Sequence, residues 1–179
     1  MIHRLFSEPL SIINSVALDL SATNMELNSS IYGNASAFHD YIVEKLGEKI
    51  GFGGYLEHRL IYETYENFAT ASADFRNIHL GIDFWTKTGT PIFAPLEGEV
   101  HSFQINQGSG NYGPTIILYH PAQKIYSLFG HVSIADLVPL EKGSPIAAGQ
   151  LLCHLGKPAE NGGWPPHLHF QLIRNMQGF

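Results

Sequence analysis

From Ile78 onward the chain is a succession of short apolar runs separated by turn residues. HLGIDFW, PIFAPLEGEVHSFQI, TIILYH, IYSLFGHVSI, PIAAGQLLCHLG and HLHFQLI follow one another, with Gly98, Gly108, Gly110, Gly113, Gly130, Gly143, Gly149 and Gly156 as punctuation. Runs this short, with turns at this spacing, leave little room for amphipathic helices and predict a mainly β fold. Only Ile134–Leu140 reads as a short helical turn. Tyr and Phe are abundant (8 and 11) against 10 Lys+Arg, which suits half-buried strands.

The chain before Ile78 has a different texture. Leu10–Leu20 reads as a strand or extended segment, and Ser21–Asn34 as loop. Ser36 is placed to cap a helix running to about Leu46, with Phe38, Ile42 and Leu46 on one face. Gly47 and the cluster Gly51, Gly53, Gly54 end it. Tyr55–Phe68 fits helix and strand equally, and its tyrosines read as packing residues. Arg59 and Arg76 read as solvated surface cations, with anion binding as the alternative. These features divide the 179 residues into an N-terminal appendage, 1–72, carrying one helix, and a β domain, 73–179.

Composition excludes several classes of function. A formal charge of −6 with no Lys/Arg run argues against a nucleic-acid partner. One cysteine, Cys153, rules out a disulfide framework and a multi-cysteine metal site; within LLCHL it reads as core. No stretch is long and apolar enough for a membrane span. Glu8, Pro9, Asn14 and Asp19 interrupt any secretory h-region, so the expected location is cytoplasmic. Export, with a signal outside the given sequence, is the alternative. The sequons at Asn28 and Asn34 are then chance matches, and the sequence is silent on oligomeric state. Ten histidines are the one compositional hint of metal.

Three motifs concentrate that hint. In the stretch WPPHLHF, His167 and His169 flank Leu168. On a strand both imidazoles share one face, about 7 Å apart along the backbone, while Leu168 and Phe170 face the core. That suits one metal ligand beside one proton-transfer group, without saying which histidine is which. In HLGID, His79 and Asp83 are an even number apart and also share a face. Two imidazoles and one carboxylate, with a fourth position open, describe a catalytic zinc rather than a structural one. The site is left at net +1, positive enough to polarise a carbonyl and acidify water. The third motif is Gly130-His131, ending IYSLFGH at a sheet rim. His3, His39, His58, His101, His120 and His154 read as structural or exposed. The run GSGNYG at 108–113 fits a dinucleotide-binding fingerprint, but a strand rather than a helix follows it, so it reads as a hairpin turn.

HLGID, then GH, then HLHF, with glycine-punctuated runs between, resembles the lysostaphin-type zinc metallopeptidases of the M23 family over roughly Ile78–Ile173. The segments GSGNYGPTIILYH and KGSPIAAGQLLCHLG share the likeness. The resemblance implies a small antiparallel β-sheet or sandwich-like domain with a zinc in a groove. It implies that His79, Asp83 and His169 are the zinc ligands and that His131 and His167 are the catalytic pair. It implies a zinc endopeptidase acting on peptidoglycan or on glycine- and alanine-rich peptides. LDLSATN and GGYLEHRLIYETYENF more weakly resemble the start of the M23-like domain in bacterial phosphotransferase/aminotransferase fusion proteins. Two alternatives stand beside the peptidase: an inactive peptidase-like binding or regulatory domain and, suggested only by that weaker likeness, a hydrolase of a non-peptide amide.

Overall fold

The computed structural model describes residues 2–71 and 74–178; the boundary expected at 72/73 falls on Ser72 and Ala73, outside the described residues. Among the described residues twelve strands form: β1 Ser15–Ala17, β2 Ile50–Gly53, β3 Glu57–His58, β4 Ile78–His79, β5 Ile82–Trp85, β6 Pro91–Phe93, β7 Gly98–Asn106, β8 Gly113–His120, β9 Ile125–Gly130, β10 Pro145–Ile146, β11 Leu151–His154 and β12 His167–Ile173. Eight of them make one sheet, in the order β1-β2-β5-β12-β9-β8-β7-β10. Its pairs are antiparallel except β1–β2, which is parallel. The fold is therefore mainly β. The GSGNYG run is the β7–β8 hairpin connection.

The first part of the chain adds to this sheet from one edge. The expected strand in Leu10–Leu20 shrinks to β1. The helices are α1, Ser29–Tyr32, and α2, Ala35–Leu46. The α2 cap is Asn34 rather than Ser36: its side chain accepts from the Ser36 and Ala37 amides, relieving two of the helix's orphan donors. Asn28 caps α1 by accepting from the Ser30 amide alone, so both sequon asparagines serve as helix caps. Tyr55–Phe68 resolves into β3 and two 3-10 turns, Leu60–Thr64 and Glu66–Phe68. Pattern could not have resolved it, because its aromatic residues face several neighbours at once. Among the described residues, no helix is long and apolar enough to cross a membrane.

Alternation along the strands divides the sheet into two faces. Phe84, Val100, Ile116, Leu118, Phe129 and Leu168 join the main core, together with Ile92, Leu152 and Cys153 from the antiparallel β6–β11 pair. Asp83 and Trp85 alternate with Phe84, and His167 and His169 with Leu168, so they belong to the opposite face. There a second core joins the two parts of the chain. Leu18, Leu20, Phe38, Ile42, Ile61 and Tyr62 pack with Trp85 and Trp164. Phe38 meets both indoles edge-on, at 6.1 and 6.4 Å between centroids. Burying Phe38 and Ile42 contributes about 1.5–3 kcal/mol each, which anchors α2 over the sheet.

A candidate metal centre

Strand register assembles the site. In the antiparallel β12–β5 pair, His169 lies opposite Asp83 and His167 opposite Trp85, the arrangement in which facing side chains are closest. On the other side of β12, His169 lies opposite Gly130, and His131 follows at the end of β9. His79 arrives on β4, held by its pairing with Glu57 of β3. The tight connection from His79 to Asp83 depends on Gly81. A methyl group there would come within 2.6 Å of the His169 ring and 2.8 Å of the Phe170 carbonyl.

All five residues singled out by the sequence come together, and all are buried. His79 Nε2, His169 Nδ1 and Asp83 Oδ1 converge. The two nitrogens are 2.8 Å apart, and each is 3.2 Å from the carboxylate oxygen. These three residues form the one group of potential metal ligands of this kind found among the described residues. A tetrahedral ion with bonds of about 2.0–2.1 Å holds its donors about 3.3 Å apart, close to this spacing.

Hydrogen bonds on the far sides of the rings decide what faces inward. His79 Nδ1–H donates to the Gly54 carbonyl at 2.7 Å. His169 Nε2–H donates to Gln171 Oε1 at 3.2 Å, with the Tyr112 hydroxyl 3.4 Å away. In the neutral rings, both inward nitrogens therefore present lone pairs. Two lone pairs and a carboxylate oxygen aimed at one point repel unless a cation lies between them. The donor set fits a metal, and the outward bonds are the kind that orient ligating histidines.

The other two imidazoles are fixed in the same way. His131 Nδ1–H donates to the Asn161 carbonyl at 2.9 Å, and His167 Nδ1–H to the Pro165 carbonyl at 2.8 Å. Their rings lie 4.1 Å apart, and His167 Nε2 is 3.8 Å from Asp83 Oδ1. His131 has φ +63°, a left-handed conformation that costs a non-glycine residue about 1–3 kcal/mol and tends to persist at functional sites. Burial pushes His131 well below the usual imidazole range, helped by His167 and His169. Burial also lowers His167, to about 4, against the opposing pull of the Asp83 carboxylate. Trp85 stacks on His167 at 4.0 Å and supplies part of that desolvation. Both rings are neutral proton acceptors at pH 7.

Arg59 is the correction to the sequence reading. It is 4% exposed, not solvated. It donates through Nη1 to Asp83 Oδ2 and through Nε to Glu57, both at 2.6 Å. Asp83 thus turns one oxygen to the arginine and the other to its imidazole neighbours. Burial opposes the charge on Asp83, but His79, Arg59 and His167 hold its carboxyl well below the usual carboxylate range. Gly54, with φ +99°, completes this support. A side chain there would strike the Arg59 guanidinium and approach His79 Nδ1 within 2.7 Å. Neither Arg59 nor the Gly54 carbonyl had a sequence signal, since one resembles any surface cation and the other acts through backbone. Of the remaining histidines, His120 is a satisfied core residue between the Glu97 carbonyl and Ser127, and His154 pairs with Asp136.

A β fold with a His-Asp-His centre beside two further buried imidazoles narrows the class, and comparison with known proteins gives the family. Residues 77–178 match Peptidase family M23, and the chain belongs to that family. It is 26% identical over 100 residues to the DD-carboxypeptidase/endopeptidase Mpg of Neisseria meningitidis, a match covering 56% of this chain and 21% of that protein. The matched region thus spans about a fifth of the length of that curated relative. Among solved structures, the catalytic domain of the antimicrobial peptidase lysostaphin from Staphylococcus simulans aligns at 24% identity and TM-score 0.49, covering 70% of this chain and 82% of that one. A zinc-containing peptidase from Vibrio cholerae aligns at 23% identity and TM-score 0.46, covering 59% of this chain and 30% of that one.

Proposed function

We propose that this protein is a zinc-dependent peptidase that hydrolyses peptide bonds in peptidoglycan or in glycine- and alanine-rich peptides. The observation that carries the reading is the convergence of three lone-pair donors beside two neutral imidazoles. His79 Nε2, His169 Nδ1 and Asp83 Oδ1 would hold the zinc. When bound, the ion supplies Lewis acidity, polarising a carbonyl and lowering the pKa of water towards about 7.

The remaining work belongs to the chain. His131 and His167 each have Nδ1–H committed to a backbone carbonyl, which leaves Nε2 free to accept a proton. One ring takes one proton of the attacking water and returns it to the departing amine, while the other accepts a hydrogen bond from the remaining O–H and keeps it oriented. Burial favours this cycle, because a ring that resists protonation returns its proton readily. The Trp85 stack fixes the plane of His167. Family membership supports a hydrolase with peptidoglycan as the substrate to try first, and the Neisseria relative's name, DD-carboxypeptidase/endopeptidase, supports peptide bonds as the bonds cut.

The test is zinc content of protein purified without added metal, followed by incubation with muropeptides, pentaglycine and a peptide library read by mass spectrometry. One zinc per chain and cleavage at small residues are expected. One zinc with cleavage of nothing would overturn the peptidase reading and favour a binding role.

A further inference from the structure

The metal centre opens into a cavity of about 170 Å³. A cavity of about 150 Å³ accommodates a benzene ring, so this one takes a group of one or two small residues. The N-terminal part of the chain supplies much of its wall. Tyr62 and Phe68 stack at 4.3 Å, and Asn67 Nδ2 donates to the Gly110 carbonyl at 3.3 Å, joining that wall to the β7–β8 hairpin.

Charge is distributed unevenly in this cavity. Its lining contains one carboxylate, Asp83, and two guanidinium groups, Arg59 and Arg76. Arg59 is paired with Asp83 and Glu57. Arg76 pairs with no carboxylate among the described residues. It is nonetheless held in place. Its guanidinium lies 5.8 Å from the Phe68 ring centre and donates to the Asn67 carbonyl. The result is a fixed, unpaired cation on the wall of a positive cavity in a protein of net charge −6. Low-dielectric walls focus such a field on small anions. Trp85, which lines the cavity, has a buried indole N–H with no partner among the described residues.

The geometry points to Arg76 as the dock for the C-terminal carboxylate of a short peptide, making the enzyme act near chain ends. This rests on the peptidase reading. A planar guanidinium matches a carboxylate through paired N–H donors, and the cavity's size limits what lies between that carboxylate and the scissile bond to small residues. The aromatic walls offer such residues flat apolar surface.

The experiment uses the full-length, zinc-loaded protein and two ligands, N-acetylglycylglycine and its C-terminal amide. The chain has two tryptophans, and both line the cavity, so intrinsic fluorescence reports occupancy. The acid should bind about 10-fold or more tighter than the amide, the scale of a charge-assisted hydrogen bond. Arg76→Gln should remove that preference, and Arg76→Lys should restore part of it. Arg76 is exposed, so these variants should keep the wild-type unfolding midpoint. Equal binding of acid and amide overturns the dock. So does a preference that survives in Arg76→Gln, which would place the carboxylate on the metal. Protein that prefers the acid but cleaves no peptide keeps the dock and overturns the peptidase reading. Protein that cleaves peptides yet shows no acid preference does the reverse.

Discussion

The two parts of this chain contribute to the centre by different physical routes. The strands after Ile78 supply the five side chains at the metal centre, while the segment before it supplies support: the Gly54 carbonyl behind His79, the Arg59 fork behind Asp83, and the aromatic wall of the cavity. Ligands on strands must share a face, so their spacing is fixed and leaves a pattern. Supporting groups reach the centre across the fold, through backbone or a single long side chain, and leave none.

The largest expected effects test the first half of that contrast. His169→Ala or Asp83→Ala should lose the zinc equivalent entirely, because two donors cannot hold the ion in a site built for three. Elemental analysis decides it; a full equivalent retained by either variant removes that residue from the ligand set. His131→Ala and His167→Ala should keep zinc and lose about 100-fold or more in kcat, the usual scale for a positioned acid–base group. A metal-free His167→Ala protein would instead mean that the two histidines of β12 have exchanged roles.

This division also explains how far the sequence could be read. The β class was legible because short apolar runs alternate with turn residues after Ile78, and Phe84 and Leu168 alternate with site residues along β5 and β12, a pattern that survives without knowing partners. His167 and His169 were legible as candidates for the same reason, His79 and Asp83 through their even spacing, and His131 through its place at the end of the apolar run IYSLFGH, with family resemblance choosing between the two β12 histidines. The burial of Arg59 was not legible. Nothing local distinguishes an arginine that meets Asp83, 24 positions away, from one in water. The helix cap was missed by two residues because Ser36 and Asn34 both have capping side chains, and only the turn geometry chooses Asn34.

The desolvation of His167 links the two halves, since Trp85 stacks on it and Phe38 from α2 packs on Trp85. Its folded pKa of about 4 lies below the unfolded value of about 6.5. Below pH 6.5 the unfolded chain takes up the proton first, so stability falls as pH drops and levels off below about 4. For the metal-free protein the loss should reach about 3 kcal/mol over that window. Denaturant unfolding of wild type and His167→Gln at a series of pH values measures it. Curves of equal slope would show that His167 is not the group being desolvated.

Arg59 should have a smaller effect, on metal affinity. Groups that orient ligands typically change it by 10–100-fold. Arg59→Lys keeps the charge but loses the fork that spans Asp83 and Glu57, so zinc affinity in a chelator competition should fall about 10-fold. The cobalt-substituted protein should show an altered visible spectrum, which a general loss of stability would not produce. Affinity and spectrum unchanged from wild type would reduce the N-terminal contribution to packing.

The smallest effect concerns the helix that holds the wall in place. Asn34 caps α2 by accepting from two amides, and α2 carries Phe38 onto Trp85 and Trp164. Replacing a capping Asn with Ala costs about 1 kcal/mol. Asn34→Ala should therefore lower unfolding free energy by about that amount, with the slope against denaturant unchanged. Zinc affinity should stay at the wild-type value, because α2 supplies none of the three ligands and Phe38 and Ile42 keep their packing in the second core. If Asn34→Ala instead weakened zinc binding as much as Arg59→Lys, the N-terminal segment would act on the metal as one rigid body through α2. The distinction between the ion pair at Asp83 and the packing around it would then fail.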